Sequence, residues 1–135
     1  MATLEAQFRP RILVSDSQDI SQALALVQAN GLPCDTVTVH DGVVAIHALI
    51  DDTFNLAIVD LSMASLDGLR LIALIRATPQ LRQLPILAIA APLEPASTLE
   101  GIRAGADDYL ARPVEWPLLM MRIRQLVSPS NAERD

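Results

Sequence analysis

Apolar residues recur along this chain in two alternating patterns, short continuous runs and longer stretches with helical spacing. Runs such as LAIVD predict short strands that helices cover on both faces. Between the runs, apolar residues such as Ile20, Leu24 and Val27 fall on one helix face. The predicted strands cover residues 11–15, 34–40, 55–60, 84–91 and 107–112. The predicted helices run from residue 20 to the stop signal Asn30-Gly31, and over 41–52, 68–81, 94–106 and 115–127.

Five strands that alternate with five helices predict βαβ units and a doubly wound α/β domain with a parallel sheet. The chain has 135 residues, of which 51% are hydrophobic, and this suits one domain with a sizeable core. No repeat or internal boundary is visible in the sequence. We expect an N-terminal extension over 1–10, the domain over 11–127, and a tail or the start of a linker over 128–135.

Several side chains have a plain structural interpretation. In the second helix, Val43, Ile46 and Ile50 lie on one side, and in the last helix Trp116 is a packing residue. Cys34 is interpreted as a small buried thiol. We interpret Arg103, Arg122 and Arg124 as solvated charges, and His40 and His47 as surface or boundary residues far from the carboxyl ends of the strands.

Composition removes some classes of function. A net charge of −6 and a pI near 4.7 argue against nucleic-acid binding by this domain. A single cysteine allows neither an internal disulfide nor a cysteine-based zinc site. The sequence shows neither a bilayer-spanning stretch nor a signal peptide, so we expect a cytoplasmic protein that does not enter a membrane.

Charged residues are predicted to meet at the carboxyl ends of the strands, where doubly wound sheets bind ligands. Asp16 and Asp60 each follow or end an apolar strand, and Arg112 ends the fifth. Two close carboxylates repel unless a cation lies between them, and Mg²⁺ needs only one or two carboxylates. Such a group suits phosphoryl transfer. The alternative is a structural ion pair in which Arg112 neutralises the aspartates.

Five segments, in order, carry a resemblance to a known family: RILVSDS, VHDGVVAIHAL, LAIVDLSMASLDG, LPILAIAA and GADDYLARP. Together they resemble the receiver domain of two-component response regulators, of the CheY-like superfamily, over residues 11–127. The resemblance implies a flavodoxin-like (βα)₅ fold with strand order 2-1-3-4-5. It also implies phosphorelay signalling without enzymatic activity, in which Asp60 accepts a phosphoryl group from a sensor histidine kinase or phosphotransfer protein.

The resemblance assigns roles to further positions. It implies that Asp16, Asp60 and the backbone carbonyl of Ser62 bind Mg²⁺. The phosphoryl and switch positions fall on Ala90, Tyr109 and Arg112, and the bond from Arg112 to Pro113 is expected to be cis.

Partners are implied as well. The family uses an output domain, either fused or separate, and often forms homodimers through the fourth helix, fifth strand and fifth helix. The segment RPVEWPLLMMRIRQLV also resembles the last helix of receivers fused to diguanylate cyclase-type output domains.

Several positions depart from the family pattern. Ser17 replaces the second acidic residue after the first strand, so we expect weak Mg²⁺ binding; Ser17 also suits an N-cap, and Asp19 a helix-dipole residue. Ala90 replaces a hydroxyl residue and cannot donate to a phosphoryl oxygen. Arg112 replaces a lysine, and its planar fork suits a two-bond pair with Asp60 that takes the place of the metal. In the loop after Asp60, Met63 and Asp67-Gly68 match the pattern, whereas Ala64 replaces a proline.

Three functions remain open at this stage. The first is a phospho-accepting switch, and the second is a divergent receiver that works as a phosphorylation-independent interaction or dimerisation module. The third is a flavin- or nucleotide-binding enzyme, which the acidic, glycine-free turn SDSQD disfavours because it would repel a phosphate. We favour a receiver whose phosphorylation chemistry is impaired.

Overall fold

The computed structural model describes residues 8–62, 67–91 and 95–127, and the strands of this part form one parallel sheet. The strands are β1 (Arg11–Ser15), β2 (Asp35–Val39), β3 (Leu56–Asp60), β4 (Ile86–Ala90) and β5 (Asp108–Ala111). The helices are α1 (Gln18–Ala29), α2 (Gly42–Asp51), α3 (Gly68–Ala77), α4 (Pro95–Ala104) and α5 (Trp116–Leu126), with a 3₁₀ turn at Pro79–Leu81. The sheet order β2-β1-β3-β4-β5 confirms the predicted flavodoxin-like (βα)₅ fold.

Both faces of the sheet are covered by helices, so the central strands are buried throughout. Side chains alternate between the faces along each strand. One face packs against α1 and α5 through Ile12, Val14, Ile58, Leu87 and Ile89. The other packs against α2 and α3 through Leu13, Ala57, Val59, Ile86 and Ala88. Because β3 and β4 are fully buried, their last residues are delivered to a desolvated edge of the sheet.

The buried face of α1 is the predicted one, but that of α2 is not. In α2 the buried residues are Ala45 and Leu49, whereas Val43 is 67% and Ile50 45% exposed. Ile46 is only partly buried. The helix lies beside β2, the outer strand of the sheet, and α3, so it has only a narrow strip to bury. Periodicity could not select this strip, because apolar residues occur on several sides of α2.

Arg76, in the last turn of α3, organises the amino-terminal edge of the sheet. Its guanidinium donates to the carbonyl of Gly105 at 2.9 Å and that of Leu84 at 2.7 Å, and pairs with Asp107 at 2.7 Å. The Asp107 carboxylate also accepts from the Ile86 backbone N–H. We call this group the Arg76 cluster. It ties the starts of β4 and β5 to the end of α3.

Glycine is required at position 105 within this cluster. Its φ of +126° is a backbone conformation that other residues rarely adopt. A Cβ atom at this position would lie 2.5 Å from the Cγ of Arg76. The close approach of the chain to Arg76 therefore depends on the missing side chain.

Several interpretations of isolated residues hold, but that of Arg122 is wrong. Cys34 is buried, Trp116 at the start of α5 packs on the core, and Arg103 and Arg124 are exposed. Arg122 was wrongly assigned to a solvated face, because it is half-buried and pairs with Asp108 of β5 at 3.1 Å. Within the described residues, no helix is both long and apolar enough to cross a membrane.

Candidate functional site

Asp60 ends the fully buried strand β3 and is itself only 2% exposed. Ser15, which ends the neighbouring strand β1, forms hydrogen bonds with the backbone of β3 near Asp60. The Ser15 hydroxyl accepts from the Asp60 backbone N–H at 2.9 Å and donates to the Ile58 carbonyl at 3.3 Å. These bonds fix the backbone from which the Asp60 carboxylate projects.

Arg112 binds the Asp60 carboxylate through both terminal nitrogens of its guanidinium. Its Nη1 donates to Oδ1 at 3.0 Å and its Nη2 to Oδ2 at 2.7 Å. The Arg112 backbone N–H donates to the carbonyl of Ala90, which holds the arginine beside the end of β4. The two-bond pair predicted from the residue type is confirmed.

Asp19 supplies a second carboxylate to the same guanidinium. Arg112 Nε lies 2.7 Å from Asp19 Oδ2, and Arg112 Nη2 donates to Asp19 Oδ1 at 3.2 Å and to the Ser17 hydroxyl at 3.1 Å. The Ser17 hydroxyl in turn donates to Asp19. The helix-dipole interpretation therefore missed the main contact of Asp19. Ser17 does occupy the N-cap position of α1, but its side chain makes no capping bond because it is engaged here.

Ser62 completes the group from the other side. Its backbone N–H donates to Asp60 Oδ1 at 2.9 Å and its hydroxyl to the same atom at 2.7 Å. The Ser62 hydroxyl also accepts from Arg112 at 3.0 Å. The sequence suggested only the backbone carbonyl of this residue, and its hydroxyl was missed. We call Ser17, Asp19, Asp60, Ser62 and Arg112 the acidic pocket.

The ion pairs of the acidic pocket keep its groups charged. Burial raises the pKa of Asp60, but the hydrogen bonds from Arg112 and Ser62 outweigh it, and the net pKa is lowered. The bond from Arg112 lowers the pKa of Asp19 from its ordinary 3.8 to about 2. The bonds to Asp60 and Asp19 raise the pKa of Arg112 further. The charged form of each group is therefore the stable one at neutral pH.

We expect Asp19→Asn to lower the free energy of unfolding at pH 7 by about 1 kcal/mol, a figure that allows for the solvent screening of this 43% exposed side chain. Because the folded-state pKa of Asp19 is depressed, its ionised form stabilises the fold above pH 3.8, and this stabilisation is lost as the pH falls towards about 2. Urea unfolding of both proteins across this range measures the difference. A difference that does not narrow in acid contradicts the assignment.

Asp16 does not join the acidic pocket, contrary to expectation. Its carboxylate pairs with His40 Nδ1 at 2.9 Å and is 44% exposed. His40 directly follows β2 and so lies at the carboxyl edge of the sheet, which corrects its placement far from the strand ends. Since β2 pairs with β1, His40 lies within hydrogen-bond distance of Asp16, which directly follows β1.

The side chains of the remaining predicted positions make none of the hydrogen bonds described for the pocket. Ala90 is fully buried and pairs in register with Ala111 of β5. Tyr109 is 39% exposed, and the Arg112–Pro113 bond is cis, as expected. Asp67 caps α3 by accepting from the Arg70 backbone N–H, but Met63 and Ala64 lie outside the described residues.

Comparisons with known proteins establish the family. A model of the response regulator receiver domain matches residues 12–124, so the chain belongs to this family. It is 36% identical to the transcriptional regulatory protein TctD of Salmonella typhimurium over 121 residues, covering 88% of this chain and 52% of TctD. It is 31% identical to the response regulator MprA of Mycobacterium avium over 125 residues, covering 92% and 53%. The chain thus spans about half the length of the curated relatives it matches.

Solved structures agree with this assignment. A putative response regulator from Chloroflexus aurantiacus superposes with a TM-score of 0.80 at 27% identity, covering 90% of this chain and 99% of that one. The receiver domain of the Francisella response regulator 1452 gives a TM-score of 0.71 at 25% identity, with 90% and 99% coverage. The protein is therefore a receiver domain of the two-component response regulator type.

Receiver domains generally bind Mg²⁺ in an acidic pocket, but the donor set of this chain does not fit the ion. Both oxygens of Asp60 accept hydrogen bonds from Arg112, and Asp16 is engaged by His40. Ser17 contributes no charge at the position of a second carboxylate. Among the described residues, no three His, Cys, Asp or Glu side chains converge in a way that suits a metal.

Proposed function

We propose that this receiver domain is a protein-interaction module of two-component signalling that does not capture a phosphoryl group at Asp60. The observation that carries the proposal is the occupation of both Asp60 oxygens by Arg112, at 3.0 and 2.7 Å, in a carboxylate 2% exposed. An attacking oxygen must approach phosphorus unobstructed, to about 3–3.5 Å. Here the guanidinium fills that approach.

Ala90 supports the same proposal from the output side. Phosphorylation shifts a conformational equilibrium only as far as the phosphoryl group bonds differently to the two states. A buried methyl group at the end of β4 donates no hydrogen bond to a phosphoryl oxygen. Phosphorylation of Asp60 would therefore shift the conformational equilibrium only slightly, because Ala90 offers the phosphoryl group no hydrogen bond.

A phospho-accepting switch is the second candidate, and one observation favours it. Asp60 is ionised, as a nucleophile must be, because its pKa is lowered by Arg112 and Ser62 in spite of burial. The Arg112 side chain remains 20% exposed, so rotation towards solvent would uncover the carboxylate. Such a switch would first have to break the ion pair with Asp60.

We propose that the partner surface is the α4–β5–α5 face, which is suited to a second copy, an output domain or a separate signalling protein. Exposed apolar side chains occur on each of its elements, namely Ile102, Tyr109, Leu118 and Met121. TctD, to which the chain is similar, is a transcriptional regulatory protein twice as long as the match. An output domain of that kind suits this chain better than the diguanylate cyclase type suggested by the last helix. A sensor histidine kinase or phosphotransfer protein is the upstream partner that the family implies.

The decisive experiment is incubation with acetyl phosphate and Mg²⁺, followed by intact mass measurement. We expect no gain of about 80 Da, the mass of one phosphoryl group, in the native protein. The matched positive control is the triple variant Ser17→Asp, Ala90→Thr and Arg112→Lys, which restores the family residues around Asp60. That variant is expected to gain the adduct, and its Asp60→Ala derivative to lose it.

An adduct on the native protein that Asp60→Ala abolishes would overturn the proposed function and establish the switch. Absence of the adduct from the native protein, together with its presence in the restored variant, supports the interaction module.

A further inference from the structure

We infer that Arg112 is a built-in cation that occupies the acidic pocket in place of a divalent metal, and that Asp19 is the positioning residue that holds it there. The inference rests on the closed pocket of the proposed function and deepens it. It concerns what neutralises Asp60, whereas the proposed function concerns what Asp60 reacts with.

The surroundings of the guanidinium are those of a bound cation. Within the described residues, its nitrogen atoms donate to six oxygen atoms, at 2.7 to 3.2 Å. Four of these oxygens belong to the carboxylates of Asp19 and Asp60, and two to the hydroxyls of Ser17 and Ser62. A Mg²⁺ ion also takes six oxygen ligands, from carboxylates and water. The planar fork thus occupies both oxygens of Asp60, which a metal in this pocket would need.

Asp19 determines where the fork lies. Arg112 has a long side chain whose charged end gains hydration by turning outward. Asp19 accepts from Nε at 2.7 Å and from Nη2 at 3.2 Å, so it holds a different edge of the guanidinium from the Nη1 and Nη2 edge that bonds Asp60. The Ser17 hydroxyl donates to Asp19 and accepts from Arg112, so it joins the two. Serine at position 17 therefore helps to hold Arg112 in the pocket, whereas a carboxylate at this position would attract a metal ion.

The charges agree with this assignment. Two carboxylates and one guanidinium give the pocket a charge of −1, since the three groups are ionised at neutral pH. Asp16 does not add its charge to the pocket, because its carboxylate pairs with His40 at 2.9 Å. A divalent ion could bind Asp60 only after displacing the Arg112 guanidinium. The guanidinium would then lie next to the positive charge of the ion.

The test compares thermal unfolding of the native protein, Arg112→Met and Arg76→Met, with and without MgCl₂ at about 10 mM and equal ionic strength. We expect no Mg²⁺-dependent shift for the native protein. Arg112→Met exposes the carboxylates of Asp19 and Asp60 to the ion, and a millimolar affinity would raise its midpoint by about 5 °C. Arg76→Met is the matched control, because it loses an arginine of similar burial, also paired with an aspartate, at the other edge of the sheet.

The inference is overturned if Mg²⁺ raises the unfolding midpoint of the native protein as much as that of Arg112→Met. It is also overturned if Mg²⁺ raises the midpoint of Arg76→Met as much as that of Arg112→Met. If Arg112→Met does not fold, Arg112→Lys replaces it, since one ammonium leaves Asp60 oxygens free for the metal. Asp19→Asn tests the positioning role: a gain of about 2 °C with Mg²⁺ supports it, and an absent gain contradicts it. A native protein that binds Mg²⁺ but gains no phosphoryl mass refutes only this inference, whereas phosphoryl gain without a Mg²⁺ shift refutes only the proposed function.

Discussion

An Arg112→Met domain is expected to lose about 3 kcal/mol of its free energy of unfolding at pH 7. Methionine keeps much of the apolar stem but removes the charge that faces Asp60. The aspartate, 2% exposed, would then be a buried carboxylate without its cation, held by Ser62 alone. A buried charge that has lost its partner destabilises the folded state far more than an exposed ion pair stabilises it.

The loss at Arg112 is also expected to depend on pH. Burial is the largest influence on the pKa of Asp60, and it acts upward once the bonds from Arg112 are gone. Because the folded-state pKa of Asp60 is raised in the variant, protonation of Asp60 stabilises the folded variant. The difference in free energy of unfolding between the native protein and the variant therefore becomes smaller in acid. Urea unfolding at several pH values measures this. Arg124→Met, on an exposed part of α5, is the control and should change stability by less than about 0.5 kcal/mol. A deficit at Arg112 no larger than the control's would show that Asp60 is not buried as described.

The second large effect is expected at Arg76, where replacement by methionine should cost about 3 kcal/mol. The variant leaves the carbonyls of Gly105 and Leu84 without their donor and Asp107 without its cation. These groups lie where β4 and β5 begin, so no strand bond replaces what is lost. Unsatisfied partly buried acceptors retain most of their desolvation cost.

Chemical denaturation of Arg76→Met beside Arg70→Met measures this effect. Arg70 lies on the same helix with a largely exposed side chain and forms a long contact with Asp67 at 4.0 Å. Its replacement should be almost neutral. Equal stabilities of the two variants would mean that water replaces Arg76 at those carbonyls.

The fold was predictable because its main signals are local. Continuous apolar runs such as that of β3 mark strands covered on both faces, and the spacing in α1 marks one buried side. The buried strip of α2 was not predictable in this way. Which side of an apolar helix is buried depends on its neighbours, here β2 and α3, and the sequence of α2 does not contain them.

The candidate site was predictable in its two central residues but not in its supports. Asp60 ends β3 and Arg112 directly follows β5, and the topology of a parallel sheet brings strand ends together. Asp19 follows its strand by four residues, so its contact with Arg112 depends on a long side chain reaching across the sheet edge. The pairing of Arg76 with Asp107 joins positions 31 residues apart and has no motif. Side-chain reach between distant segments leaves no periodic trace in a sequence.

The bonds of Arg112 have a consequence for how long the domain stays folded. They join positions 52, 93 and 95 residues apart, on three segments that meet only after β5 has joined β3 through β4. Closing the long loops between such distant positions is costly, so we expect these contacts to form late in folding. Interactions absent from the folding transition state slow unfolding and leave the folding rate unchanged. We therefore expect the bonds of Arg112 to slow unfolding more than they speed folding, and so to lengthen the lifetime of the native state.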